Sequence, residues 1–170
     1  MSVLKIPQQI LDEMIAHARE SDPYECCGLL AGTDGTASRQ YRIKNIVSLE
    51  GSEKLPSFDS ARVTRLQQLP LQQRAEIAFV MDAQDFSMAK KDMRIHNLDL
   101  HVVYHSHPHS PAEPSETDIT IAHDYEDIWG KINLAVPAYF IISLQDKARP
   151  EVRAYWIKGR QVTRTEFQTV

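Results

Sequence analysis

The stretch that constrains this chain most is Tyr104-His105-Ser106-His107-Pro108-His109-Ser110-Pro111-Ala112-Glu113-Pro114-Ser115-Glu116-Thr117-Asp118. Leu98 to His107 alternates as a strand does. Pro108, Pro111 and Pro114 then remove the backbone donors that a continuing ladder would need. Residues 115–128 carry the spacing of a helix, so a strand hands over to a helix through a stiff loop. In a strand, residues i and i+2 face the same side, so His105 and His107 present two imidazoles together. Asp118, one turn into the helix, can turn its carboxylate back toward them. Two neutral imidazoles, one carboxylate and an open fourth position make a catalytic zinc site of the His₂-carboxylate type, which lowers the pKa of a water toward neutrality. Ser115-Glu116-Thr117-Asp118 fits a capping box as well, in which both side chains merely close the helix N-terminus. On spacing alone, the metal hydrolase and the helix cap both stay open.

The rest of the chain supplies a scaffold of mixed type. Ile10, Leu11, Met14, Ile15 and Ala18 recur at helical spacing over 7–20, with Pro7 at a favoured first position. Ser21-Asp22-Pro23 ends that helix. Cys26 to Gly32 is an apolar run closed by Asp34-Gly35, which predicts a buried strand entering a hairpin with a partner over about 37–48. The polar, Gln-rich passage 50–75 reads as an excursion with one short helix around 59–69. Further strands are expected at 77–81, 138–144 and 152–157, a helix at 84–96, and an extended tail after Lys158-Gly159-Arg160. Strands mixed with three or four helices give an α/β or α+β domain. Residues 1–170 show no repeat or linker that would divide them.

Composition narrows the function classes. The 170 residues carry 19 Lys+Arg against 23 Asp+Glu, a net charge of −4, and so mildly acidic a chain is a poor general binder of nucleic acid, whose footprint is a basic face or stripe. No apolar stretch approaches the roughly 20 residues that span a bilayer, so no membrane partner is expected. The acidic, amphipathic N-terminus does not read as a secretory signal. Cys26 and Cys27 are the only cysteines, and neighbours in sequence rarely bridge. A reducing cytoplasm therefore fits, with both thiols acting as small buried hydrophobes. His109 reads as a solvated loop residue, His96, His101 and His123 lack a phased partner, and Trp129 and Trp156 read as core or edge aromatics. The chain has no His-Glu-x-x-His, no P-loop and no Pro-Cys-x-x-Cys of zinc deaminases.

His105-x-His107-Pro108 followed by Ser115-x-x-Asp118, with residues 108–114 as the seven-residue spacer, resembles the JAMM motif of the MPN+ (JAB) metalloprotease family. Glu25, in Glu25-Cys26-Cys27-Gly28-Leu29-Leu30-Ala31-Gly32, matches that family's upstream glutamate. The similarity runs from the first helix past residue 138, and departs around 56–78, which reads as an insertion relative to short prokaryotic members. The resemblance implies a curved mixed β-sheet flanked by helices, an α/β (mixed α+β) architecture of cytidine-deaminase-like type. It implies one Zn2+ per chain held by His105, His107 and Asp118. Glu25 would hold the attacking water, take its proton and deliver it to the leaving amine, while Ser115 would help hold the oxyanion. The substrate implied is a small ubiquitin-like, β-grasp sulfur carrier cut after its C-terminal Gly-Gly, as in stand-alone prokaryotic members. The resemblance leaves room for a homodimer. Two rivals are a non-catalytic MPN scaffold, against which the intact Glu25, His105, His107, Ser115 and Asp118 set speaks, and a hydrolase of small amides.

Overall fold

The computed structural model describes residues 2–49 and 66–170. The chain opens with a short strand, β1 (Leu4–Ile6), and the amphipathic helix α1 (Gln8–Ser21), which buries Ile10, Met14 and Ala18. The hairpin follows as expected, β2 (Cys27–Thr33) to β3 (Thr36–Ile43). Asp34 and Gly35 both take positive φ, 50° and 73°, as a two-residue turn matched to strand twist requires. Strand β3 stops at Ile43, short of the expected 48, because Asn45 leaves the ladder and turns its side chain to other backbone groups.

After the single turn α2 (Leu71–Arg74) come α3 (Ala83–Ile95), β4 (Asp99–His107), α4 (Glu116–Lys131), β5 (Ala138–Ser143) and β6 (Glu151–Lys158). The tail is two strands, β7 (Gln161–Thr165) and β8 (Phe167–Thr169). The helix expected at 59–69 falls almost wholly outside the described residues. The strand expected at 77–81 is corrected: Ile77 belongs to a turn and is exposed, residues 78–81 are buried, and only Met81 makes a bridge, to Asn45. Its apolar run reflects burial against the core, not membership of a sheet.

One sheet runs β7-β6-β5-β4-β2-β3-β1-β8. It is mixed, with β4 and β5 parallel and β2 antiparallel to both its neighbours. Helix α1 packs on one face over Leu30, Val102, Tyr104 and Phe140. Helices α3 and α4 cover the other through Ala89, Met93, Ile121 and Trp129, over Leu29, Val103 and Ile141. Each fully buried aliphatic or aromatic side chain of this kind contributes about 1.5–3 kcal/mol. Gly28 belongs to the same packing, since a Cβ there would run into the Tyr104 ring. Among the described residues no helix is long and apolar enough to cross a membrane.

Candidate metal centre

Strand β4 ends at His107, and His105 and His107 turn to the side covered by α4, as strand phasing requires. Ser106, between them, faces the other way and fastens β4 to the start of β2. Its Oγ accepts from Cys26 N at 2.8 Å, and its own N–H donates to Cys26 O at 3.1 Å. Glu25 is thereby set beside two histidines 80 residues further on. Nothing in the alternation distinguished Ser106 from a spacer, and the sequence reading passed over it.

Helix α4 delivers the third group. Ser115 caps it: its Oγ accepts from Asp118 N at 3.1 Å, and Ser115 N donates to Asp118 Oδ2 at 2.9 Å. The same Oδ2 lies 3.0 Å from His107 Nε2 and 3.2 Å from His105 Nε2. The capping box and the clustered donors are therefore one arrangement, not rivals. The cap orients the carboxylate that meets the imidazoles.

Nε2 of His105 and of His107 are 3.0 Å apart, closing a triangle of three donors. A tetrahedral zinc with bonds of roughly 2.0–2.1 Å separates its donors by about 3.3–3.4 Å, just wider than these edges. Nδ1 of His107 lies 2.8 Å from Pro111 O; donating its proton there leaves Nε2 a bare lone pair facing a carboxylate. Acceptors so placed repel unless a cation sits among them. Glu25, His105, His107 and Asp118 are all buried, and one ligand atom from each lies within 4.8 Å of the others. Glu25 Oε1 and His105 Nδ1 are buried without a hydrogen-bond partner. The donor set fits a small divalent cation, and His105, His107 and Asp118 could hold one.

Electrostatics agree with the geometry. Burial pushes the Asp118 carboxyl up, but His105 and His107 outweigh it and hold Asp118 well below the usual carboxylate range. Burial lowers His105, with Asp118 opposing in part. His107 is pulled down by burial yet ends above its ordinary value through Asp118 and the Pro111 carbonyl. Glu25 is raised well above an ordinary glutamate, first by burial and then by the Asp118 charge. Positive charge is favoured at the centre of this group, and a proton is favoured on its edge.

The cluster opens into a cleft of about 320 Å³ lined by Glu25, His107 and Ser115 on one side and Leu66, Glu76, Ile77 and Ala78 on the other. The last four lie within or next to the region expected as an insertion, which therefore borders the cleft. Phe79 stacks on His105 at 4.7 Å between ring centroids, a contact that only the folded chain reveals. His109 is exposed at the rim, 3.7 Å from Glu76. Cys26 and Cys27 are buried; burial pushes the Cys26 thiol up to about 12 and raises Cys27 as well, which disfavours the thiolate at both positions. His96 pairs with Asp92 and His123 with Glu126, both away from the cluster.

Comparison with known proteins gives a consistent picture. Residues 7–158 match the model of a family described as prokaryotic homologues of the JAB domain. A curated protein of Mycobacterium tuberculosis named CysO-cysteine peptidase is 29% identical over 168 residues, covering 99% of this chain and 92% of that protein. A solution structure of a protein from Desulfitobacterium hafniense superposes with a TM-score of 0.70 at 28% identity, covering 98% of this chain and 92% of that one. A JAB1/MPN domain protein from Archaeoglobus fulgidus shares the fold over the full length of both chains, with a TM-score of 0.53 at 17% identity.

Proposed function

This chain belongs to the prokaryotic JAB-domain family, and from that premise we propose that it is a zinc-dependent peptidase of the reducing cytoplasm. Its substrate is a small ubiquitin-like sulfur carrier, cut at the bond after the carrier's C-terminal Gly-Gly. The observation that carries the reading is the triangle of His105 Nε2, His107 Nε2 and Asp118 Oδ2, with edges of 3.0, 3.0 and 3.2 Å, beside the buried Glu25. The name of the mycobacterial relative supports a peptidase, and makes a carrier ending in a cysteine adduct the first substrate to try.

His105, His107 and Asp118 would hold one zinc per chain. When bound, zinc lowers the pKa of a water toward neutrality and polarises a carbonyl as a Lewis acid. The chain's own groups do the rest. Glu25 holds the attacking water at its unpaired Oε1 and takes its proton. It then hands that proton to the leaving amine. Ser115 Oγ accepts the Asp118 amide and so keeps its hydroxyl proton free to donate to the carbonyl oxygen as charge develops there. The cleft between the Ser115 side and the Leu66–Ala78 side takes the extended carrier tail.

The test is a carrier ending in Gly-Gly-Cys, incubated with protein whose metal content has been measured by elemental analysis. Release of cysteine that is lost on chelation and regained with zinc is the expected result. Undiminished release from protein shown to be free of zinc overturns it, and a non-catalytic scaffold should purify without stoichiometric metal and release no cysteine when zinc is added.

A further inference from the structure

Asn45 lies outside every motif, yet its side chain uses its full hydrogen-bonding capacity. Nδ2 donates to Glu25 O at 3.0 Å and to Ala78 O at 3.1 Å. Oδ1 accepts from Val47 N at 3.1 Å and from Val80 N at 3.0 Å. Four bonds from one amide join the residue at the catalytic position to residues 78–80, one wall of the cleft. They also explain how 78–80 is held against the core without being a strand. The Asn45 side chain satisfies Ala78 O and Val80 N, while backbone bonds run from Ile46 N to Val80 O and from Asp82 N to Lys44 O. Between those two anchors stands Phe79, whose ring lies against His105.

We infer that Asn45 is a positioning residue for the reaction: it sets the Glu25 backbone, and through Phe79 the His105 face, relative to one another. The inference rests on the peptidase reading, in which Glu25 is the base. Asn45 touches neither substrate nor the donor triangle, so its effect runs through Glu25. Displacements on the order of 1 Å at a reacting group cost up to about 10²-fold in rate.

Two variants separate positioning from mere support. Asn45→Ala removes all four bonds. Asn45→Asp keeps both acceptor contacts but turns two donors into an oxygen facing two carbonyls, Glu25 O and Ala78 O. In Asn45→Asp, turnover is expected to fall about 10–100-fold, with KM for the carrier within about threefold and zinc stoichiometry unchanged. Amide exchange provides a readout independent of activity. The Glu25 N–H, bonded to Ala75 O at 2.6 Å, should exchange at least about tenfold faster, while Val47 and Val80 stay protected. In a Glu25→Gln background either Asn45 variant should add almost no further loss, because residues that act through one group are not additive.

Wild-type turnover and Glu25 exchange in Asn45→Asp overturn the inference, and so does a full additive loss in the Glu25→Gln background. A variant that fails to fold would appear in the melting curve, and the other variant then decides. If wild-type protein shows no zinc-dependent cleavage the peptidase reading fails, whereas the exchange result still reports whether Asn45 fixes Glu25.

Discussion

Asp118 Oδ2 lies 3.0 Å from His107 Nε2 while accepting the backbone N–H of Ser115 at 2.9 Å. One carboxylate oxygen thus serves a helix end and a donor cluster together. The cap fixes the rotamer, and the rotamer fixes where the negative charge points. A helix dipole adds to the preference, since an anion near its N-terminus is stabilised there.

Glu25→Gln keeps size but cannot take a proton. Turnover of a Gly-Gly-Cys carrier should drop about 10²–10⁴-fold, the range for a general base. Zinc measured by elemental analysis should remain at the wild-type level, because His105, His107 and Asp118 are untouched. Loss of zinc from this variant would make Glu25 a ligand instead of the base.

Ser115 has two duties that one pair of variants can separate. Ser115→Ala should lower stability by about 1 kcal/mol through the lost cap, a fall of roughly 2–4 °C in Tm. Ser115→Gly loses only a few tenths of that, glycine being a tolerable cap. Both lack the hydroxyl, so both should turn over on the order of 10²-fold slower. Turnover that tracks Tm would reduce Ser115 to a cap.

Cys27→Ser should retain turnover within a few fold, while His107→Ala should lose metal and turnover together. The Cys27 thiol is fully buried and donates to Ile43 O at 3.4 Å, a contact that a hydroxyl can keep. Kinetics and zinc analysis on the two purified variants check this. Equal inactivation of both folded proteins would assign the thiol a chemical part.

Acid should weaken the fold through His17. Its Nδ1 lies 2.7 Å from the Tyr104 hydroxyl, which also accepts from Gln40 at 2.8 Å, so His17 is held neutral as an acceptor. Burial, with Arg42 nearby, lowers its pKa to about 4. Because the folded value lies below the unfolded one, the unfolded chain takes up the proton first. Stability is therefore whole above about pH 6.5 and falls as pH drops toward 4, by about 1–2 kcal/mol given the ring's partial exposure to screening water. Melting curves of the metal-free protein between pH 7 and 4 should show this slope, and His17→Gln should flatten it.

The strand carrying His105 and His107, the cap at Ser115 and the Asp34-Gly35 hairpin were legible because each is local: alternation, a box of four residues, a turn dipeptide. Glu25 was legible only as part of a family block, since its neighbours in space come from β4 and α4. Asn45, Ser106, Phe79 and the Pro111 carbonyl were not legible. Each acts through a backbone group or a ring face that no spacing rule marks. Residues 77–81 misled because burial and strand pairing leave the same apolar signature, and the isolated bridge at Met81 appears only in the fold.

The pairing of Cys27 with His105 between β2 and β4 has a kinetic consequence. His105, His107 and Asp118 occupy one short run of chain, and a segment of that length closes on itself at little entropic cost. Glu25 joins them only through a contact such as Cys26 to Ser106, across 80 residues. Closing so long a loop costs more entropy than closing the short one. On the peptidase reading, a folding chain is therefore expected to gather His105, His107 and Asp118 before Glu25 joins them. The pairing of the central strands is then the step that brings the proposed base to the proposed ligands.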